Sequence, residues 1–320
     1  MLLIGAAAAG WAYYFANTPV GLPTTPYDFT VHAGSGLKAV GRQLAADGVF
    51  TEADSFWILG RALGKARSIQ AGTYRLDRPV TPLEILDKLA RGDVLFAEML
   101  FVEGTTLRQW LAQLAAQPMV KHTLAGKAEG EARALIGNGA EPLEGWLFPD
   151  TYRFAPGAAD VDILKRAHAA MKKRLAEAWE ARDASAPLKT PYEALILASI
   201  VEKETGQAAE RPMIASVFAN RLKRGMRLQT DPTVIYGMGE RYDGNIRKKD
   251  LTADTRWNTY TRDGLPPTPI AMPGAASIKA ALHPAESAYL YFVARGDGTH
   301  EFSRSLEEHN RAVAKYQLGK

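Results

Sequence analysis

The chain has 320 residues, with 39 Lys and Arg against 35 Asp and Glu and a formal charge of +4. It has no cysteine, which excludes disulfides, thiolate metal sites and a Cys nucleophile. The apolar fraction of 47% is that of a globular protein long enough for two domains, and no dense Lys/Arg run of the nucleic-acid kind is present.

Residues 1 to 27 carry no charged side chain. Leu2 to Ala16 is apolar, somewhat short of the roughly 20 residues of a spanning helix, and lacks the positive start of a signal peptide. Two readings fit: a single-pass anchor whose basic cytoplasmic start lies upstream of Met1, or a buried N-terminal helix. Trp11, Tyr13 and Tyr14 suit a membrane interface and favour the anchor, expected over residues 1–20 with a linker at 21–26.

From Tyr27 short segments alternate. Asp28 to His32 reads as a strand, Ala33 to Gly36 as a turn, and Leu37 to Asp47 as a helix closed by Gly48. Thr51 is expected to cap a second helix. Gln70 to Leu76 reads as a strand, and Thr81-Pro82 supplies a cap and an N1 proline before Leu83 to Ala90. A repeat is visible: Val31, Gly34, Leu37, Val40 and Leu44 align with Val102, Gly104, Leu107, Trp110 and Leu114 if one residue is gapped. The pattern resembles the opening of a LysM module, a βααβ unit that binds N-acetylglucosamine polymers. A packing subdomain without sugar affinity fits the same pattern.

Gly126 to Glu141, rich in Ala, Gly and Glu, reads as a surface excursion. Val161 to Ala181 is an amphipathic helix whose Leu164, His168, Met171, Leu175 and Trp179 form one stripe; His168 is read as a bonded core histidine. Ala194 to Val201 is a near-continuous apolar helix ending in two acids, Glu202 and Glu204. At about 100° per residue, Glu204 falls on the face of Leu197, Ile200 and Val201, and Glu202 well round from it. An acid aimed at the core has a raised pKa and suits a general acid. A charged last turn reaching back to solvent fits the pattern equally. Glu210 to Arg224 is a further amphipathic helix stopped by Gly225. The chain to Ala285 reads as loop-rich, with Pro232 starting a helix, and a hairpin and a helix from Leu306 close it.

The six histidines are scattered and no HExxH occurs, so no metal site and no cofactor are expected. There is no nucleophile elbow and no dinucleotide fingerprint. Gln229, Thr230 and Asp231 cluster before Pro232, where Thr230 or Asp231 equally suits a helix cap. Asn258, Thr259 and Tyr260 supply an amide, a hydroxyl and a ring, a usual set for sugars. Glu144 and Asp150 are read as loop-orienting acids, with a second catalytic acid as the alternative.

LASIVEKETG followed by ASVFANRLKRGMRLQTDPTVIYGMG closely resembles the endolytic murein transglycosylases of the YceG-like family. EGWLFPDTYRF, WNTYTRDGLPPTPIAMPGAASIKAALHP and YLYFVARGDGTHEF extend the resemblance over most of the chain. It implies that Glu204, the second acid of VEKET, is catalytic. It also implies cleavage of nascent peptidoglycan between N-acetylmuramic acid and N-acetylglucosamine to leave 1,6-anhydro ends, with the muramic C6 hydroxyl in place of water. Gln229, Thr230, Asp231, Tyr236, Asn258 and Tyr260 are then expected to hold the saccharide. The expected fold is α+β: an N-terminal anchor, a LysM-like subdomain at 27–120 and a YceG-like catalytic domain at 121–320. Expected partners are peptidoglycan strands, the inner membrane and peptidoglycan synthases, with the catalytic part facing the periplasm. A water-using muramidase and a non-catalytic glycan-binding scaffold are the alternatives.

Overall fold

A computed structural model describes residues 2–319. Two compact units are present, residues 1–98 with 153–157 and residues 99–152 with 158–320. Both mix helices with short strands. The first opens with α1 (Leu2–Asn17), whose last turn is packed: Ala16 is buried and the Phe15 ring lies 6.0 Å from that of Phe50. At 16 residues α1 falls short of a bilayer, and no helix among the described residues is long and apolar enough to cross a membrane.

Next come β1 (Tyr27–Val31), α2 (Leu37–Ala46), α3 (Ala53–Ala62), β2 (Gly72–Leu76) and α4 (Pro82–Arg91). β1 and β2 pair antiparallel, Tyr27 opposite Leu76 and Val31 opposite Gly72. Alternation puts Tyr27, Phe29 and Val31 in the core. α2 and α3 approach so closely that a Cβ at Gly60 would overlap the Leu37 side chain. Thr81 caps α4 and Pro82 takes its first turn, as expected, and Glu84 completes a capping box with Thr81. Thr51 does not cap α3: Glu52 holds that position without a side-chain bond.

In chain order there follow β3 (Ala97–Leu100), α5 (Leu107–Ala115), β4 (Val120–Lys121), α6 (Glu129–Ile136), β5 (Thr151–Phe154), β6 (Ala158–Ala159) and α7 (Asp160–Glu180). After them come α8 (Pro191–Glu204), α9 (Arg211–Lys223), α10 (Asp231–Met238), α11 (Lys248–Thr252), α12 (Ala275–Leu282), β7 (Tyr291–Ala294), β8 (His300–Ser303) and α13 (Leu306–Tyr316). The repeat has a physical counterpart. Gly34 and Gly104 both take left-handed backbone, with φ of 84° and 74°, just before α2 and α5. Leu37, Val40 and Leu44 are buried from α2, as Leu107, Trp110 and Leu114 are from α5. The segment 99–120 groups with the second unit, whereas the sequence division put it with 27–98.

α6, α11 and α12 form where the sequence reads as a surface excursion or as loop-rich chain. α6 lies within 126–141 and buries Ala132 and Ile136. α12 lies between Pro273 and Pro284, which hid its apolar periodicity, and packs on α8. α8 is the centre of the larger core. Thr190 caps it and Pro191 takes its first turn. Every residue from Ala194 to Val201 is buried, because α7, α9, α10 and α12 cover the helix. Leu195, Ile196, Leu197, Ile200 and Val201 each contribute roughly 1.5–3 kcal/mol through burial, so the end of α8 is a firmly held platform. With no solvent face along this stretch, the facial contrast between Glu202 and Glu204 does not decide their roles. What each meets beyond the buried run decides them.

Candidate active site

Both acids leave the same helix turn and meet different surroundings. Glu202 is nearly buried and spent on structure. Its Oε1 accepts from Arg211 Nη2 at 3.2 Å and its Oε2 from the Gly274 backbone N–H at 2.9 Å. Glu204 is partly buried and opens onto a cleft, where its Oε1 accepts from the Thr230 hydroxyl. Burial pushes its pKa up to about 7; the Thr230 bond pulls it down and the charge of Asp231 pushes it up. Such a carboxyl can give and take a proton near neutrality.

Thr230 is fixed by neighbouring hydroxyls. Its N–H donates to Thr259 Oγ1 at 3.1 Å, and its carbonyl accepts from Thr233 Oγ1 at 2.7 Å. The hydroxyls of Thr233 and Thr259 are 2.9 Å apart. Gln229 precedes it at φ 50°, the only non-glycine residue with positive φ among the described residues. Strain of this kind persists where surrounding bonds over-determine it. Here the Gln229 N–H donates to the Thr259 carbonyl at 3.2 Å and its Oε1 accepts from Arg221 Nη1 at 3.1 Å. Arg221 is buried, and also donates to the carbonyls of Leu290, Arg227 and Leu228 at 2.6, 3.0 and 2.9 Å. Its guanidinium lies 4.9 Å from the Tyr291 ring centre.

The capping role weighed for Thr230 and Asp231 is not what they do, since α10 has no side-chain cap. Asp231 instead is exposed to the cleft and accepts from the Tyr260 hydroxyl at 2.6 Å. Glu204, Gln229, Asp231 and Tyr260 thus come together around a cleft of about 520 Å³. Its other wall is the β7–β8 hairpin and α13, which bring Tyr291, His300, His309 and Asn310.

The remaining expected saccharide contacts lie elsewhere. Tyr236 donates to Glu144 Oε2 at 3.1 Å and, with Trp257, lines a different cavity of about 640 Å³. Asn258 is fully buried. Its amide donates to the carbonyls of Asp250, Leu251 and Ala253, and its Oδ1 accepts from the Tyr260 N–H, so it shapes the loop that carries Tyr260. Glu144 is buried and accepts from the Leu107 N–H at 3.0 Å at the start of α5. Burial pushes its pKa up to about 7, but it shares the cavity of Tyr236, not that of Glu204. Asp150 binds the next backbone N–H of its own loop. His168 is bonded in the core, its Nε2 2.8 Å from Asn138 Oδ1.

Sequence reasoning missed Arg221, hidden in an amphipathic helix, and the cleft-lining His300, His309 and Asn310. Among the described residues no three His, Asp or Glu side chains gather as metal ligands.

Comparison with known proteins follows the same outline. The YceG-like family matches over residues 29–315. An endolytic murein transglycosylase of Bacillus subtilis is 34% identical, over 91% of this chain and 85% of its own. One from Streptococcus pneumoniae serotype 2 is 27% identical over 88% of this chain, which spans 57% of that longer relative. A crystal structure of a putative YceG-like protein from Listeria monocytogenes matches with a TM-score of 0.58 at 32% identity, covering 89% of this chain and 98% of that one.

Proposed function

The chain belongs to the YceG-like family, and from that premise we propose that it is an endolytic lytic transglycosylase of nascent peptidoglycan. It cuts between N-acetylmuramic acid and N-acetylglucosamine and leaves 1,6-anhydro-N-acetylmuramic acid ends, terminating strand growth. The relatives named endolytic murein transglycosylase support the activity. The observation that carries the chemistry is Glu204: a cleft carboxyl raised to about 7 on a rigid helix end.

Protonated Glu204 donates to the glycosidic oxygen as the bond to C1 of muramic acid breaks. The resulting carboxylate then takes the proton from the muramic C6 hydroxyl as that oxygen closes on C1. One carboxyl serves twice, and the sugar's acetamido group can assist at C1. Thr230 keeps the carboxyl oriented between the two steps. Tyr260 holds Asp231, whose negative charge beside the cleft favours positive charge developing at C1. The test is turnover of purified glycan strands by Glu204→Gln, expected to fall by roughly 10²-fold or more with the fold intact. Full activity in that variant would overturn the reading.

Asp231 also supports the one competing chemistry. Hydrolases that use water pair two carboxyls across the scissile bond, and Asp231 lines the cleft of Glu204 without a capping task. The lyase is preferred because Tyr260 already occupies the Asp231 carboxylate and the relatives carry the transglycosylase name.

Residues 2–16, uncharged and aromatic at their end, support a single-pass inner-membrane anchor with the catalytic unit in the periplasm. The β-α-α-β order from Tyr27 to Leu76 supports LysM-like glycan contact by the first unit. An enzyme that terminates strands works on the product of peptidoglycan synthases, which makes them its expected partners.

A further inference from the structure

A second ionisable pair reaches the cleft through one member, His300, and neither figures in the chemistry above. Glu210 stands just before α9 and His300 opens β8, 90 residues later. The Glu210 carboxylate grips His300 twice: Oε1 accepts from the backbone N–H at 3.0 Å and Oε2 lies 2.7 Å from Nδ1. The two side chains keep only 13% and 17% of their exposure. Facing a carboxylate, Nδ1 carries the hydrogen, so in neutral imidazole the lone pair is on Nε2. Phe292 stands at 90° to the ring with centroids 5.4 Å apart, and the Phe302 ring lies 6.5 Å away. Bond and packing together fix the ring plane. No described residue bonds Nε2, and His300 lines the cleft that holds Glu204 and Asp231.

We propose that His300, oriented by Glu210, is a substrate-contacting residue whose Nε2 accepts a hydrogen bond from a hydroxyl or acetamido N–H of the bound glycan. The inference rests on the glycan-cleaving reading of the same cleft. An aromatic-packed imidazole that lines a cleft, its far nitrogen without a protein partner, is costly to leave unpaired in a closed complex. A saccharide, dense in O–H and N–H donors, supplies the missing partner. Glu210 touches no substrate in this scheme; it is a positioning residue that sets the tautomer and the ring angle, as outer carboxylates do for ligating histidines.

The test uses isosteres of the two ring nitrogens, in the full chain carrying Glu204→Gln so that binding is measured without turnover. The probe is a soluble, peptide-free tetrasaccharide of alternating N-acetylglucosamine and N-acetylmuramic acid. His300→Asn keeps a donor at the place of Nδ1, and so the Glu210 bond, but has nothing at Nε2. It is expected to weaken binding about tenfold, the scale of one good hydrogen bond, with an unchanged melting temperature. His300→Gln puts an amide near the place of Nε2 and gives up the Glu210 bond. It is expected to recover part of the affinity while melting lower. Binding by His300→Asn equal to the parent overturns the proposal. So does loss of affinity that merely follows the melting temperature across both variants. A parent protein that binds no tetrasaccharide sinks the glycan reading itself, and this inference with it.

Discussion

Thr230→Val isolates the bond on which the acidity of Glu204 depends. Valine keeps the shape of the side chain and deletes the hydroxyl that donates to Glu204 Oε1. Thr230 is 2% exposed, so water does not simply replace it from behind. A hydrogen bond to a charged group contributes about 1.5–3 kcal/mol, and about 1.4 kcal/mol of preference for the ionised form equals one pKa unit. Losing the bond therefore raises Glu204 by about one to two units above its value of about 7. Water in the cleft can reach part of the carboxylate, which favours the lower end of that range. A general acid must be protonated, so kcat/KM falls as pH rises through the pKa of the free enzyme. In the unaltered protein that fall is centred at about pH 7, and in Thr230→Val at about pH 8 or above. The assay is release of soluble fragments from purified glycan strands across that range at constant ionic strength. A fall that stays in place or moves to lower pH refutes the claim that Thr230 tunes the acid.

The neighbouring acids should separate cleanly. Glu202→Gln breaks a nearly buried pair with Arg211 and weakens the bond to Gly274, costing about 3–5 kcal/mol of stability by denaturant unfolding while the chemistry survives. Glu204→Gln does the reverse. Its raised pKa means that the stability it contributes is complete below about pH 4.5 and is lost as pH rises through about 7. The Gln variant therefore melts above the unaltered protein at about pH 8 and level with it at about pH 4; a lower melting point at both would refute the burial argument. Arg221→Met strands four acceptors that the buried guanidinium now satisfies and should cost about 3 kcal/mol or more. A loss under about 1 kcal/mol would mean that water takes its place. Deleting residues 1–20 is expected to abolish membrane association, and release of the full chain by carbonate extraction would remove the anchor.

The parts legible in the sequence are those that local chemistry decides. Thr81-Pro82 specifies a helix cap and a first-turn proline within two residues, and the fold has both. Gly34 and Gly104 precede helices because only glycine takes left-handed backbone there without strain. An apolar run ending in VEKET is enough to find the end of α8. It is not enough to choose between Glu202 and Glu204, because α8 is buried on all sides and the choice depends on Arg211, Gly274 and Thr230, brought in by tertiary contacts. The same limit explains Tyr236 and Asn258. Both sit in polar, aromatic stretches of the kind that hold sugars, yet one is drawn to Glu144 by burial and the other is consumed by the carbonyls of its own loop. Glu210 and His300, 90 residues apart, share no motif, and only the hairpin that carries β8 brings them together. The sequence leaves Asp231 open between a saccharide contact and a cap, and only the tertiary bond from Tyr260 shows that its carboxylate faces the cleft and not the helix end.

The central claim is that the C6 hydroxyl of muramic acid, and not water, takes the place of the leaving sugar, with Glu204 as the single acid and base. Mass spectrometry of glycan strands digested in 18O-labelled water tests it directly. The expected muramic ends are in the 1,6-anhydro form, about 18 Da lighter than hydrolysed ends because no water is added, and free of label. Reducing muramic ends that carry the labelled oxygen would contradict it and give Asp231 the role of base or nucleophile in a two-carboxylate muramidase.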